Sequence, residues 1–356
     1  MLKLRRGRVA SVAESGVRVA RLTVTLDGSG EERDALAYPG LTGPVEAGDE
    51  VVVNVEARDL ELGSGGFDIV HCNLTRGLAG EGGDAHVMKL NYTSLQHAVL
   101  PVEEGLEHAP ERAGIPVAVL ALHGQLPCVA FALAHLRPGT RAGFLQTPGG
   151  ALPGGLSDTV ADLLHRGLLA GHVTAGACHG GAEEAITVEG GLDAAVRRLD
   201  WDCVIAGPGP GILGSSSSLG HGGLAALANA HAALSLGCPV VLVPRMSSGD
   251  ERERHRGLSH HTETVLSMLL RPVRVAAPAG VSLPAGAGLE RAIAHGTQHE
   301  GVHVDVSALV EPYVSSGLPA RTMGRSLDED RDFFLAALAG GAVLADMTDD
   351  KREGLT

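Results

Sequence analysis

The densest group of reactive side chains in the sequence lies in residues 245–263, RMSSGDERERHRGLSHHTE. Arginine guanidiniums bind phosphate and carboxylate groups through paired hydrogen bonds, and histidine exchanges protons near neutral pH. Charge runs also occur as solvated faces, and that alternative stays open. We predict ligand contacts from Arg245, Arg252, Arg254 and Ser259, and catalytic roles for His255, His260 and His261.

The spacing of these histidines does not favour a metal site. On one helix, His255 and His260 would lie about 140° apart, so their side chains would not share a face. The spacing is also not that of the HExxH motif. We therefore predict no metal here, and the sequence identifies no cofactor.

A second candidate site is the glycine-rich stretch GPGPGILGSSSSLGHGG at residues 207–223, which follows an apolar run. Bare glycine backbone lets an anion approach, and a helix N-terminus directly after it attracts negative charge. A plain strand–helix turn, with glycine for positive φ and serine as the cap, is the alternative. The predicted ligand-binding residues are Gly209, Gly211, Gly214, Ser215 and Ser216.

Lys89 is isolated, because the other lysines, Lys3 and Lys351, lie near the termini. An ammonium is a compact point charge whose pKa falls readily on burial, unlike that of a guanidinium. We predict a catalytic role in which Lys89 reaches the crevice formed by residues 207–218 and 245–261. The alternative is a solvated surface lysine.

From Gly114 onward, apolar runs of strand length alternate with amphipathic helical stretches. This alternation is typical of a parallel sheet covered on both faces, with ligands bound outside the carboxyl ends of the strands. The loops that follow the first five strands are glycine-rich or polar, which places the candidates at one sheet edge. The predicted strands are Ile115–Leu122, Arg141–Thr147, His172–Ala177, Cys203–Ala206, Val240–Pro244 and Val273–Ala277.

The predicted fold is α/β, with a small N-terminal β-barrel followed by a three-layer α/β domain with a mainly parallel sheet. Short strands separated by turn signals predict the barrel over residues 1–75. A connector at 76–112 leads to a Rossmann-like domain at 113–345, and a polar tail occupies 346–356. The final helix is expected from Ser326, where a capping box with Glu329 begins, to Gly340.

Composition excludes several function classes. The net charge of −14 and the aromatic content of 3% argue against nucleic-acid binding, which needs basic patches and stacking side chains. Five widely spaced cysteines fit a reducing compartment. No apolar run is long enough for a membrane span. We expect a cytoplasmic protein with no membrane partner, and homo-oligomerisation stays open.

The sequence also resembles a bacterial family known as domain of unknown function 3866. The resemblance is carried between residues 86 and 341 by HVMKLNYTSLQ, GPGILGS, RERHRGLSHHT and TMGRSLDEDRDFFLAALAGG. The matching residues lie in the glycine loop and in residues 245–263, which we call the Arg–His stretch. They also include Lys89, Tyr92 and Gln96. Ser215–Ser218 stand where alternating Thr and Gly is expected, and Ala182 where an acid is expected. The resemblance implies no activity.

These observations predict an enzyme acting on a small anionic, phosphorylated metabolite at the carboxyl edge of the sheet. A non-catalytic sensor of such a ligand is one alternative. An NADP-dependent oxidoreductase is another, because Gly209, Gly211 and Gly214 have the spacing of the dinucleotide fingerprint and Arg245 suits a 2′-phosphate.

Overall fold

The fold is described from a computed structural model, which covers residues 2–62, 65–78, 83–107, 114–215, 217–280 and 298–353. The chain forms two compact units. The first is Met1–Leu100 together with Pro153–Leu156, and the second is Pro101–Leu152 with Ser157–Thr356. Within the described ranges, no helix is both long and apolar enough to cross a bilayer.

The first unit contains a closed five-stranded barrel in the order β1-β2-β3-β5-β4. Only β3 and β5 pair in parallel, and the other neighbouring strands of the barrel pair antiparallel. Side chains alternate along β2, so that Leu22 and Val24 point into the barrel core. The predicted small barrel is thus confirmed. The strands are β1 (Leu4–Ser15), β2 (Ala20–Leu26), β3 (Glu32–Ala37), β4 (Glu50–Asn54) and β5 (Asp68–Asn73).

Short elements complete this unit: helices α1 (Pro39–Thr42) and α2 (Glu56–Asp59), and a hairpin of β6 (Val87–Lys89) and β7 (His97–Val99). The segment Pro153–Leu156, which is distant in sequence, also belongs to it. There Gly155 lies so close to the backbone of Arg18 that a Cβ would come within 2.8 Å of the Arg18 carbonyl oxygen.

The second unit is built on an eight-stranded parallel sheet in the order β11-β10-β9-β12-β8-β13-β16-β17. Its strands are β8 (Val117–Leu120), β9 (Ala142–Thr147), β10 (Gly171–Ala175), β11 (Glu183–Ala185), β12 (Cys203–Pro208), β13 (Val240–Val243), β16 (Arg274–Pro278) and β17 (Glu300–Val304). Two small antiparallel pairs are β14 (Met246–Ser247) with β15 (Gly257–Leu258), and β18 (Arg321–Thr322) with β19 (Arg325–Ser326).

Helices cover both faces of the sheet. One apolar core lies between the sheet and α3, α4, α8 and α9, and the other between the sheet and α5, α6 and α7. The predicted three-layer domain is therefore confirmed. The helices are α3 (Leu126–Leu136), α4 (Asp158–His165), α5 (Val188–Arg197), α6 (Ala225–Ser235), α7 (His260–Met268), α8 (Ser307–Ser315) and α9 (Arg331–Glu353).

The final helix differs from the expectation at both ends. Ser326 and Glu329 do form the reciprocal bonds of a capping box, since each backbone N–H donates to the other side chain. They close a turn, however, and α9 begins only at Arg331. The helix then continues past Gly340, where a Cβ would come within 2.6 Å of the Val243 side chain. That glycine is a packing contact and not a helix end.

The strand order determines where a crevice opens at the edge of the sheet. The connection from β9 leads to its neighbour β10, whereas the connection from β12 crosses β8 to reach β13 on the other side. Loops that leave in opposite directions open a crevice between two adjacent strands, outside their carboxyl ends. The loops after β9 and β12 are the glycine-rich ones, TPGG and GPGPG.

Replacing Gly143 by alanine should destabilise the second unit. A Cβ there would lie 2.0 Å from the ring of Trp201, which is the only tryptophan of the chain. We expect the free energy of unfolding to fall by about 2 kcal/mol through overpacking. Denaturant unfolding followed by tryptophan fluorescence measures the change. Gly40→Ala, where a Cβ meets nothing within 4 Å, is the control, and equal effects would contradict the packing argument.

Candidate functional site

The two glycine loops at the crevice pack backbone against backbone. Ala151 N donates to Pro210 O over 2.7 Å. A Cβ on Gly150 would lie 2.1 Å from Gly209 O, and one on Gly209 would lie 2.2 Å from Ala151 O. Gln146 Nε2 also donates to Ala151 O over 3.0 Å. Gly209 is therefore required for the close approach of the loops, whatever binds there.

The rest of the glycine stretch forms a small hairpin. Gly211 has φ of +75°, which favours glycine. Gly214 bridges His221, and Ser215 N and Oγ both donate to Gly220 O. Ser215 thus folds the hairpin tip, while Ser216 lies outside the described residues.

A helix follows this glycine stretch, as predicted: α6 starts at Ala225, after the 3₁₀ turn Gly222–Leu224. The hairpin nevertheless separates Gly214 from this helix, so α6 does not open directly after the three spaced glycines. The glycines with the spacing of the dinucleotide fingerprint serve loop packing and a hairpin. The spacing in the sequence does not distinguish these structural roles from dinucleotide binding.

An open cleft of about 370 Å³ lies beside these loops, at the carboxyl edge between β9 and β12. Four of its seven lining residues are glycines, and the exposed lining is mostly apolar. Leu213, which is 73% exposed, contributes an apolar side chain. The lining residues are Gly149, Gly150, Leu152, Leu213, Gly220, His221 and Gly222.

Four imidazoles gather next to the cleft, and we call them the histidine cluster: His221, His255, His260 and His261. The His221 ring stacks on the His261 ring, with centroids 3.7 Å apart and planes 9° apart. The His260 centroid is 4.4 Å from that of His261, and the His255 centroid is 4.9 Å from both. His221 was not among the predicted residues, because it lies alone between glycines and belongs to no reactive motif.

The local fold explains how the histidines of the Arg–His stretch meet. His255 ends the 3₁₀ turn Glu253–His255, and α7 begins only at His260. Ser259 caps α7, and its Oγ accepts from His261 N. The premise of one helix carrying both His255 and His260 is wrong, so the 140° angle does not describe their separation.

Ser259 and Arg245 position two of the rings. Ser259 Oγ lies 2.7 Å from His255 Nδ1. Arg245 Nη1 lies 3.3 Å from His261 Nδ1, and since a guanidinium only donates, this nitrogen accepts. Neither His221 nitrogen makes a hydrogen bond of normal geometry to a described residue, and the same holds for His260 Nε2.

The surroundings of the histidine cluster favour neutral imidazoles. Burial, aided by the nearby Arg245 charge, lowers the pKa of His255 to about 3 and that of His261 to about 2. Burial is also the main cause that lowers the pKa values of His221 and His260. Neutral imidazoles carry lone pairs that can accept a proton or bind a metal ion.

Guanidinium groups surround one buried carboxylate beside the cluster. Arg252 Nε and Nη2 each lie 2.9 Å from an Asp250 oxygen, and this pairing holds the Asp250 pKa well below its usual range. Arg245 Nη2 is 3.2 Å and Arg325 Nη2 3.6 Å from Asp250 Oδ2. Burial lowers the pKa of Arg245 to about 10. Arg325 also pairs with the Asp330 carboxylate, so three guanidiniums face two carboxylates, and the one positive charge left over suits an anion.

Asp330 at the start of α9 holds the loop that carries this group, and it is another residue that sequence analysis missed. Its buried carboxylate accepts from Ser247 Oγ at 2.8 Å, from the backbone N–H groups of Ser248 and Gly249, and from Arg325 Nε at 2.8 Å. The acidic run DEDRD resembles an ordinary helix start, so only the packing identifies Asp330 as an anchor.

His123 fixes the backbone at the end of β12. Its Nδ1 donates to Pro208 O over 3.1 Å, so Nε2, 2.7 Å from Ser157 Oγ, accepts the hydroxyl proton. Burial lowers the pKa of His123 to about 4. Gln125 supports the neighbouring loops, with Oε1 accepting from Ala121 N and Leu122 N and Nε2 donating to Pro244 O.

The structure places the remaining predicted residues as follows. Arg252 is about half exposed, and Arg254 is exposed. Lys89 ends β6 in the first unit, whereas the histidine cluster lies in the second. At 3% exposure, Lys89 is not a solvated surface lysine, so that alternative is wrong. Its role at the crevice stays a prediction.

The comparisons with known proteins agree with the resemblance carried by the sequence motifs. The model of the family described as "Protein of unknown function (DUF3866)" matches residues 34–341, which is most of the chain. A search of curated proteins gave no match.

We expect Asp330→Ala to lower the free energy of unfolding by at least about 3 kcal/mol. The change leaves a partly buried guanidinium and several buried donors without their acceptor. Denaturant unfolding provides the measurement. Asp328→Ala, two residues away and exposed, is the matched control and should change stability by less than about 0.5 kcal/mol. A similar loss in both variants would refute the anchor.

The low pKa of His123 should make stability depend on pH. The unfolded chain takes up this proton near pH 6.5 and the folded chain near pH 4, so stability falls as pH drops between these values. The His123 contribution to this fall is about 2 kcal/mol from pH 7.5 to pH 5.

His123→Asn should remove that part of the pH dependence. Urea unfolding of wild type and variant at both pH values measures the difference. His135→Asn, at an exposed histidine, should keep the wild-type dependence. If His123→Asn also keeps it, the buried ring is not the titrating group.

Proposed function

The chain belongs to the DUF3866 family of proteins of unknown function, and for this member we propose an enzyme that acts on a small anionic, phosphorylated metabolite. The ligand would lie in the cleft at the carboxyl edge of the parallel sheet, with its anionic group directed at the arginines. Arg245, Arg252 and Arg254 are the proposed anion-binding side chains. The histidine cluster supplies the reactive groups.

One observation carries this proposal: a continuous series of contacts joins the cleft to the arginines. His221 lines the cleft and stacks on His261, and His261 accepts from Arg245. Arg245 pairs with Asp250, which holds Arg252. Imidazole nitrogens and guanidiniums are therefore within a few side chains of one open ligand site. Such a combination is typical of sites that bind an anion and react with it.

The cleft lining is mostly apolar, so the proposed contacts with the anionic group come from the arginines and not from the cleft walls. We do not propose NADP as the ligand, because the dinucleotide fingerprint requires a helix directly after the glycines, and here a hairpin intervenes.

We favour catalysis over simple sensing because of the four crowded imidazoles. Anion binding alone needs only the arginines. Buried polar nitrogens without partners are costly in folding, and such groups concentrate at reactive sites. A cytoplasmic location also remains our proposal, supported by five free cysteines.

Incubating the protein with a pool of phosphorylated metabolites, followed by mass spectrometry, tests the proposal. We expect one compound to be consumed in amounts far above the amount of protein. A compound retained in stoichiometric amount but unchanged would support the sensor. If nothing is consumed or retained, the proposed function is wrong.

Arginine variants locate the anion site once a substrate is found. Arg252→Ala and Arg254→Ala should each lower kcat/KM by about tenfold, because each loses a charge-assisted hydrogen bond. Arg271→Ala, at an exposed arginine of the same unit, should leave kcat/KM unchanged. If kcat/KM is equal in all three variants, the anion does not bind at Arg252 and Arg254.

A further inference from the structure

We propose that His255, His260 and His261 bind a divalent transition-metal ion of the zinc class. One nitrogen atom from each of these rings lies within 4.8 Å of the others. Around an ion with Zn–N distances of about 2.0–2.1 Å, tetrahedral nitrogens are about 3.4 Å apart. Small rotations of the side chains therefore bring the three nitrogens to binding distance.

The local fold holds two of these rings and leaves the third adjustable. His255 is 1% exposed and is fixed by Ser259 Oγ. Ser259 already accepts from His261 N, and it can accept from His255 Nδ1–H as well. In that tautomer, His255 Nε2 presents its lone pair, as metal-binding histidines do when the other nitrogen donates.

The surroundings of His260 also favour a metal ion. It lies on the first turn of α7, is half-buried, and its Nε2 has no hydrogen-bonding partner in the described part of the chain. A buried imidazole nitrogen without a partner needs an explanation, and binding of an ion is one of the standard ones. A metal ion would satisfy this lone pair together with those of His255 and His261.

Arg245 competes with the ion at His261. While Arg245 Nη1 donates to Nδ1, a neutral His261 carries its proton on Nε2 and has no lone pair left for a metal. Binding of the ion therefore requires Arg245 to leave this nitrogen. Arg245 keeps Asp250 as a partner at 3.2 Å, so the exchange does not strand a buried charge.

The ligand types decide which ions fit. Imidazole suits zinc, copper, nickel and iron, whereas magnesium and calcium require oxygen ligands. Three protein ligands leave a coordination position open, as in catalytic zinc sites. Three neutral rings leave the positive charge of the ion uncompensated, so an anion is the expected fourth ligand. Asp250 is not a candidate because it is paired with arginines.

This inference shares its site with the proposed function and deepens it by naming a cofactor, but the two can fail separately. Metal binding is measured without any metabolite. If no metal binds but the metal-free protein consumes a phosphorylated compound, the proposed function stands and this inference fails. If a metal binds but no compound is retained or consumed, this inference stands and the proposed function fails.

The test uses untagged full-length protein, freed of metal with a chelator and titrated with Zn²⁺ by calorimetry and with Co²⁺ by absorption spectroscopy. We expect one ion per chain and the visible spectrum of low-coordinate cobalt. His260→Ala should weaken binding by at least tenfold, and Ser259→Ala by about tenfold. His303→Ala, at an exposed histidine on β17, should bind as wild type does.

Arg245→Met gives a second, opposite signature. It removes the competitor from His261, so we expect tighter metal binding than in wild type. Circular dichroism checks that each variant is folded, and His260→Gln replaces His260→Ala if the latter is not. The proposal is overturned if wild type binds no stoichiometric ion, or if His260→Ala and His303→Ala bind it equally.

Discussion

The carboxylate of Asp250 is the interaction on which the candidate site depends. Arg245 is 4% exposed, and a guanidinium so deeply buried is stable only beside a negative charge. Asp250 supplies that charge and also orients Arg252 through two hydrogen bonds. Without it, Arg245 would not remain next to His261. The positions of the anion-binding groups and of the histidines are therefore coupled through one side chain.

Much of the fold follows from the sequence for simple reasons. The central strands are fully buried on both faces, so Val117–Leu120 and Cys203–Pro208 are almost wholly apolar and easy to identify. The edge strands were not predicted. Glu183–Ala185 contains two glutamates, and Glu300–Val304 is partly exposed. Pairing with a neighbour defines such strands, and pairing leaves little trace in a short polar segment.

The candidate site was likewise predictable only in part. Residue types identified the Arg–His stretch, because guanidiniums and imidazoles carry their chemistry with them. Its geometry was not predictable from a uniform helix, since Ser259 starts α7 between His255 and His260. Serine is a preferred helix cap, so that signal was available. His221 and Asp330 were not identifiable, because their importance depends on which distant loops they meet.

The order in which the chain is made has a consequence for the barrel. The first compact unit includes Pro153–Leu156, which follows β8 and β9 of the other unit in sequence. During synthesis from the N-terminus, the contacts between Gly155 and Arg18 cannot form until β8 and β9 have left the ribosome. The first unit therefore cannot be completed until part of the second unit has been synthesised. A cut after Leu100 separates the barrel strands from a segment that their unit contains.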